Sequence, residues 1–212
     1  MSREERIAEE VTRFLNLQQR AVGVHVEEGP RRTEPAGAPR RFCILEREDL
    51  EGGARRFRYG DIECPGASLA LGLVEPVYVD VEPRIHASIS AVRVGPVAGA
   101  DQVLFTVTPR QAMTLAVLTG GIEARCTGTH AVCGEVIARV YETREPHLSL
   151  LCAGMRELCG FQDEELVVGV SRKDFLALPD AMARHDGLDA SRSLPRVSDA
   201  VGTRVGRSSW HV

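Results

Sequence analysis

The sequence predicts an α/β (α+β) fold, a mixed sheet with flanking helices, and three observations carry that expectation. Residues 103–108 and 166–171 are apolar, β-branched-rich runs of strand length. Each ends on a hydroxyl residue and runs directly into an Arg-containing helical stretch, 110–121 and 172–185. The N-terminal twenty residues carry the other periodicity, with Ile7, Val11, Phe14, Leu15 and Leu17 approximating one helical stripe among charges.

The elements follow in order. A helix is expected over 3–20 and a strand over 21–26, where β-branched residues alternate. Residues 27–40, rich in Pro, Gly and Arg, have no periodicity and read as a long loop, either disordered or a lid near a site. A short helix is expected over 41–53, stopped by Gly52 and Gly53, then a strand over 56–62. The stretch 64–73 opens a helix with Pro65 at its first position, where a missing N–H costs nothing. Segments 77–81, 88–97 and 103–109 read as strands, 110–121 as a helix closed by Gly120 and Gly121, and 133–142 as another helix. Residues 148–152 read as a short strand or turn, 165–171 as a buried strand and 172–185 as a helix. One domain is expected over 1–185, and a loosely ordered extension over 186–212, rich in Gly, Ser, Asp and Arg.

The two strand–hydroxyl–helix units admit two readings. Val107 and Val170 stand 63 positions apart, and Cys64 and Cys133, each at an expected helix start, stand 69 apart. A loop-length change would reconcile these as degenerate halves of a duplication about a pseudo-dyad. Equally, strand–hydroxyl–helix is a common α/β junction in which the hydroxyl caps the helix.

Composition narrows the function. The chain has 212 residues, 43% hydrophobic and 26% charged, enough for a buried core. Its formal charge of −4 comes without a basic block, and aromatic residues are only 5%, so neither a phosphate-binding patch nor base-stacking platforms are expected. No apolar run approaches the ~20 residues of a membrane span. The charged N-terminus lacks the apolar core of a signal peptide, and a cytoplasmic location is expected. The partners expected are therefore a small molecule or a metal cofactor, with no nucleic acid and no membrane, and with self-association into a homo-oligomer allowed. Lys173 is the single lysine among many arginines, a bias of composition that cannot locate a site.

The chemical asset is six cysteines, Cys43, Cys64, Cys126, Cys133, Cys152 and Cys159, expected to be thiols in a cytosolic chain. No Cys-x-x-Cys occurs, and the spacings Cys126…Cys133 and Cys152…Cys159 suit no zinc finger. Local settings say more. Cys64 precedes Pro65-Gly66 and Cys133 precedes Gly134-Glu135, both at expected helix starts, where backbone N–H groups and the helix dipole favour a thiolate. Cys152 precedes Ala153-Gly154 with Arg156 nearby, and Cys43 follows an Arg pair and Phe42. A buried cysteine is also an ordinary core residue, so each setting can be read as packing alone. His147, five residues before Cys152, reads as a surface histidine or as a group reaching the same site. Arg110 and Arg156 can clamp an anion or simply face solvent.

These segments resemble an uncharacterised prokaryotic family, domain of unknown function 169 (DUF169). The likeness runs through RFCILERED and LEGG, DIECPGASLALGL, VLFTVTPRQAMTLA, CGEVIARVYETREPHLSLLCAGMRE and DEELVVGVSRKDFLALPDAM, over about residues 20–183. The resemblance implies a shared fold and a shared site at Cys43, Cys64, Cys133 and Cys152, with Cys126 and Cys159 outside the pattern. It implies no reaction. From the thiols together, the first expectation is an iron–sulfur cluster or another thiophilic metal on those four cysteines, with Arg156 and His147 close by. If three bind, Cys64, Cys133 and Cys152 are the ligands. The alternatives are a metal-free module gripping a small anion through Arg110 or Arg156, and a thiol enzyme whose nucleophile is Cys64 or Cys152.

Overall fold

The computed structural model describes residues 1–29, 43–45, 47, 55–57, 62, 64, 89–124 and 132–189. Among these, seven strands form one mixed sheet: β1 (Val22–Glu28), β2 (Arg55–Phe57), β3 (Ile89–Gly95), β4 (Gln102–Val107), β5 (Glu123–Ala124), β6 (His147–Leu150) and β7 (Leu166–Ser171). Their order is β2-β3-β1-β4-β7-β6-β5. Every pairing is antiparallel except β5 with β6. The helices are α1 (Arg3–Leu15), α2 (Pro109–Thr119), α3 (Val132–Thr143), α4 (Ala153–Leu158) and α5 (Arg172–Asp189). The α/β expectation therefore holds.

The centre of the sheet is the β4–β7 ladder, in register from Gln102↔Ser171 to Val107↔Leu166. All six residues of β4 are buried, as a strand covered on both faces requires. Alternation then sorts the side chains. Val103, Phe105, Val107, Val168 and Val170 join a core with Ile7, Val11 and Leu15 of α1, Ala112, Leu115 and Leu118 of α2, and Phe175, Leu178 and Met182 of α5. Leu104 and Val167 point the other way. They join Val22, Val24, Val92 and Val94 in a second core beneath α3. At ~1.5–3 kcal/mol for each fully buried aliphatic side chain, these two layers are the main stabilising term.

Caps set several helix boundaries. Ser2 and Glu5 form a capping box on α1, and Thr108 and Gln111 form one on α2. At the start of α5, Ser171 Oγ accepts from Asp174 N–H (3.2 Å) and donates to the Asp174 carboxylate (2.7 Å), a hydroxyl cap without the return bond to the backbone. Both units thus start their helix from a hydroxyl cap, and their strands pair antiparallel with Phe105 opposite Val168 at mid-strand. A local two-fold relation between the units runs through that pair. It covers β4–α2 and β7–α5 and does not extend in chain order to their neighbours, since β1 borders β4 while β6 borders β7.

Other expectations are corrected. Helix α1 stops at Leu15 rather than near residue 20. Asn16 takes a left-handed conformation (φ 51°) and returns its N–H to Arg13, closing the helix. Residues 43–45 are not helical: Cys43, Ile44 and Leu45 are consecutive and all buried, which one face of a surface helix cannot supply. Helix α5 runs to Asp189, past the expected end at 185. The expected helix over 64–73 and strand over 77–81 lie, apart from Cys64, outside the described residues, as do the loop over 30–40 and the tail from 190.

Helix α3 packs over β6 and β7 because residue 169 is glycine. A Cβ there would lie 2.7 Å from Val136 Cγ1, 3.0 Å from Val140 Cγ2 and 3.2 Å from Leu104 Cδ2. At its C-terminus, the Tyr141 hydroxyl donates to Glu28 (3.1 Å), tying α3 to the end of β1. Burial, with the Glu28 hydrogen bond next, raises the Tyr141 pKa above its ordinary 10.0.

Two predictions follow from α3. Gly169→Ala should lower stability by about 1–3 kcal/mol through overpacking, read as a lower urea midpoint with an unchanged slope. The Tyr141 phenol favours the folded state only while protonated. Its contribution should be complete below the unfolded pKa near 10 and fade as pH rises through the higher folded value, and Tyr141→Phe should flatten that alkaline limb of stability against pH.

Candidate thiol site

Each described cysteine is a thiol, Cys43, Cys64, Cys152 and Cys159. All four belong to the core beneath α3, with Cys152 at its margin. The core under α1, α2 and α5 contains no cysteine among the described residues. Cys43, Cys64 and Cys159 are 1%, 7% and 4% exposed, packed with Ile44, Leu45, Ile62, Met155 and Phe161. Cys152 is half-buried.

Strand directions place Cys152 and Cys159 toward one end of the sheet. β4 and β1 are antiparallel, so Val107 ends β4 near where β1 begins; Leu166 opens β7 at that same end, and Leu150, paired with Leu166, closes β6 there. Leu151 and Cys152 follow at once. Cys152 caps α4 in an extended conformation, its carbonyl accepting from Met155 N–H (3.1 Å) and Arg156 N–H (3.3 Å). Cys159 closes α4, its N–H donating to the Met155 carbonyl (3.2 Å) and its carbonyl accepting from Arg47 N–H (3.0 Å). That last bond lays the segment bearing Cys43 against α4.

The backbone of Cys133 comes to the same end. Helix α3 is joined to β6 by residues 144–146 and packs along β6 and β7, so the two run in opposite directions. Val136 and Val140 lie at the level of Gly169. At roughly 1.5 Å per residue, position 133 lies one to two turns lower, about level with the start of β7. Cys126 lies outside the described residues.

The other expected site residues are dispersed. His147 is 1% exposed in β6, which corrects the reading of a surface histidine; its strand is central enough to bury it. It starts β6 while Cys152 follows the end, and five residues at roughly 3.3 Å each separate the two along the chain. Arg156 is held by Asp163, Nε to Oδ1 3.2 Å. Arg110 is exposed on α2, across the sheet from the thiols.

Arg47, absent from the expected site, ties its stretch of chain to the α4–β7 link and to Gln19. The guanidinium pairs with Glu165 (2.9 Å) and donates to the Gly160 carbonyl (3.1 Å). Gln19, with its amide oxygen toward Arg47, accepts from Nε (3.0 Å) and Nη2 (2.6 Å). Glu165 also accepts from Gln162 N–H (2.7 Å). No local spacing signals this cluster, because Arg47 and Glu165 are 118 positions apart.

Thiols suit a soft metal, yet among the described residues no three His, Cys, Asp or Glu side chains are arranged to hold an ion. Cys43, Cys64 and Cys152 alone are therefore not a preassembled triad.

The fold defines an α/β protein whose described thiols share one face of the sheet. Residues 78–180 match the sequence model of DUF169, described as uncharacterised ArCR, and over that segment the chain is similar to this family. Cys133, Cys152 and Cys159 fall inside the match, whereas Cys43 and Cys64 precede it, so the matched segment is shorter than the resemblance over 20–183. An uncharacterized protein of Methanocaldococcus jannaschii is 30% identical over 99 residues, which cover 42% of this chain and 42% of that protein. The chain thus spans less than half the length of this curated relative. No solved structure matches. Among the described residues, no helix is long and apolar enough to cross a membrane.

Burial orders the reactivity of the thiols. In native protein at neutral pH, iodoacetamide should modify Cys152 at least about tenfold faster than Cys43, Cys64 or Cys159, read by peptide mass spectrometry. Equal rates at all four would contradict the burial described.

Proposed function

We propose that the thiol face takes up an iron–sulfur cluster or another thiophilic metal on Cys43, Cys64, Cys133 and Cys152, in a protein working in the reducing cytoplasm. The observation that supports this reading is convergence: described thiols from distant segments share one core, and the start of α3 lies at the same end of the sheet. Four thiolates are the ligand set of a cubane cluster or structural zinc, and a cluster on three of them offers one iron to a substrate. Cys152, at the margin, is the ligand most open to an incoming group. The apolar shell of Ile44, Met155 and Phe161 keeps water from Cys43 and Cys64.

A second reading, a thiol enzyme with Cys152 as nucleophile, draws on its partial exposure. The metal-free anion module has less support, since Arg156 is occupied by Asp163 and Arg110 stands across the sheet.

Anaerobically purified or reconstituted protein should be brown, absorb near ~400 nm, and contain iron and acid-labile sulfide. Cys133→Ser and Cys152→Ser should each lower the iron bound. Colourless, metal-free protein after anaerobic reconstitution overturns the metal reading. A single fast-alkylating Cys152 whose loss leaves a folded protein would then favour the thiol enzyme.

A further inference from the structure

Residues 43–45 carry a thiol into the core without a helix of their own, and Arg47, two residues on, ties the chain there to distant segments. Its backbone N–H reaches Cys159, and its side chain reaches Glu165, Gly160 and Gln19. These partners belong to two separate stretches: the link between α1 and β1, and the link from α4 to β7. The guanidinium therefore joins three chain segments at the end of the sheet where the thiols gather. Its planar fork carries five N–H donors in a fixed geometry, which a lysine's compact ammonium with three donors does not reproduce. The side chain is 31% exposed, so solvent can compete for it and the junction can open without global unfolding.

We propose that Arg47 is a positioning residue: clasped by Glu165, Gly160 and Gln19, it holds Cys43 in the thiol core, and release of that clasp admits an incoming metal or cluster. The role in metal entry rests on the thiol-site reading; the clasp itself does not. Cys43, Ile44 and Leu45 are buried as a run, so the clasp and their apolar contacts close together. Opening it uncovers Cys43 first. Glu165 is 8% exposed, and its carboxylate, hydrogen-bonded to Gln162 N–H, stays in place as the fixed half of the junction.

The test uses the full-length, metal-free protein. Iodoacetamide labelling of each cysteine is followed by peptide mass spectrometry, alongside urea denaturation of the same variants. Arg47→Met should speed labelling of Cys43 on the order of tenfold over wild type, while the urea midpoint falls too little to account for it. Glu165→Gln should act in the same direction, the double variant should add little to either, and Arg47→Lys should restore part of the protection. Arg156→Met, which breaks the ion pair with Asp163, should leave Cys43 protected. Unchanged Cys43 labelling in both single variants overturns the proposal. So does an equal acceleration at every buried cysteine that tracks the loss of global stability. Iron release from reconstituted protein to a chelator separates the two readings. Faster release from Arg47→Met supports the entry role, while a wild type that binds no iron removes that role and leaves the clasp to be judged by labelling alone.

Discussion

The structure depends on one ladder. β4 and β7 pair antiparallel along their whole length, and both are covered on both faces. Buried there, their N–H and C=O groups have no water to turn to, so the register must be complete. A slip by one residue would turn Phe105 away from Phe175 and present Gln102 and Thr106 to the α1 side. From the ends of this ladder grow α2 and α5, each started by a hydroxyl that caps it. Gly169 in the same ladder lets α3 settle on the opposite face. Two cores are therefore set by the alternation of one strand pair.

The two faces are sealed by different means. On one, three helices close the layer, and they are tied to one another: Gln111 donates to the Leu15 and Asn16 carbonyls, and Arg172 pairs with Glu4. On the other, α3 and the two-turn α4 share the cover with Cys43, Ile44, Leu45, Ile62 and Cys64, which lie outside the helices. Residues 43–45 form neither a helix nor a sheet ladder. Such regions open more readily than the elements around them. The described thiols sit on that side of the molecule.

This division explains what the sequence made legible. The strand–cap–helix units could be read because their signals are local: a β-branched run, a hydroxyl, then a polar residue three positions on, as in Thr108 with Gln111 and Ser171 with Asp174. β5 and α4 are too short for periodicity to register, and Gly154 weakens the helical signal of α4. The apolar run at 43–45 looks like part of a helix, but its neighbours in space come from positions 62–64 and 151–161. Arg47 was invisible because its partners lie at 19, 160 and 165. His147 was misplaced because Glu145-Pro146 reads as a loop, whereas the strand begins immediately after the proline. The cysteines could be counted and their helix-start settings recognised, but their common core exists only once the sheet has ordered the chain.

The same geometry bears on how a thiol-bearing core can also be a site. A cysteine surrounded by alkyl groups packs as a small hydrophobe, so the described thiols stabilise the fold whether or not a metal is bound. Metal binding requires thiolates, and a charge in apolar surroundings is tolerated only when the ion arrives with it. A fully preassembled thiolate set would leave several uncompensated charges close together in the empty protein. Thiols packed near one another, short of ligating geometry, avoid that cost. They do so at the price of a rearrangement when the metal enters, and the movable part must be a segment that no ladder holds. Residues 43–45 form neither a helix nor a strand, and Arg47, two residues on, ties that stretch to the α4–β7 link.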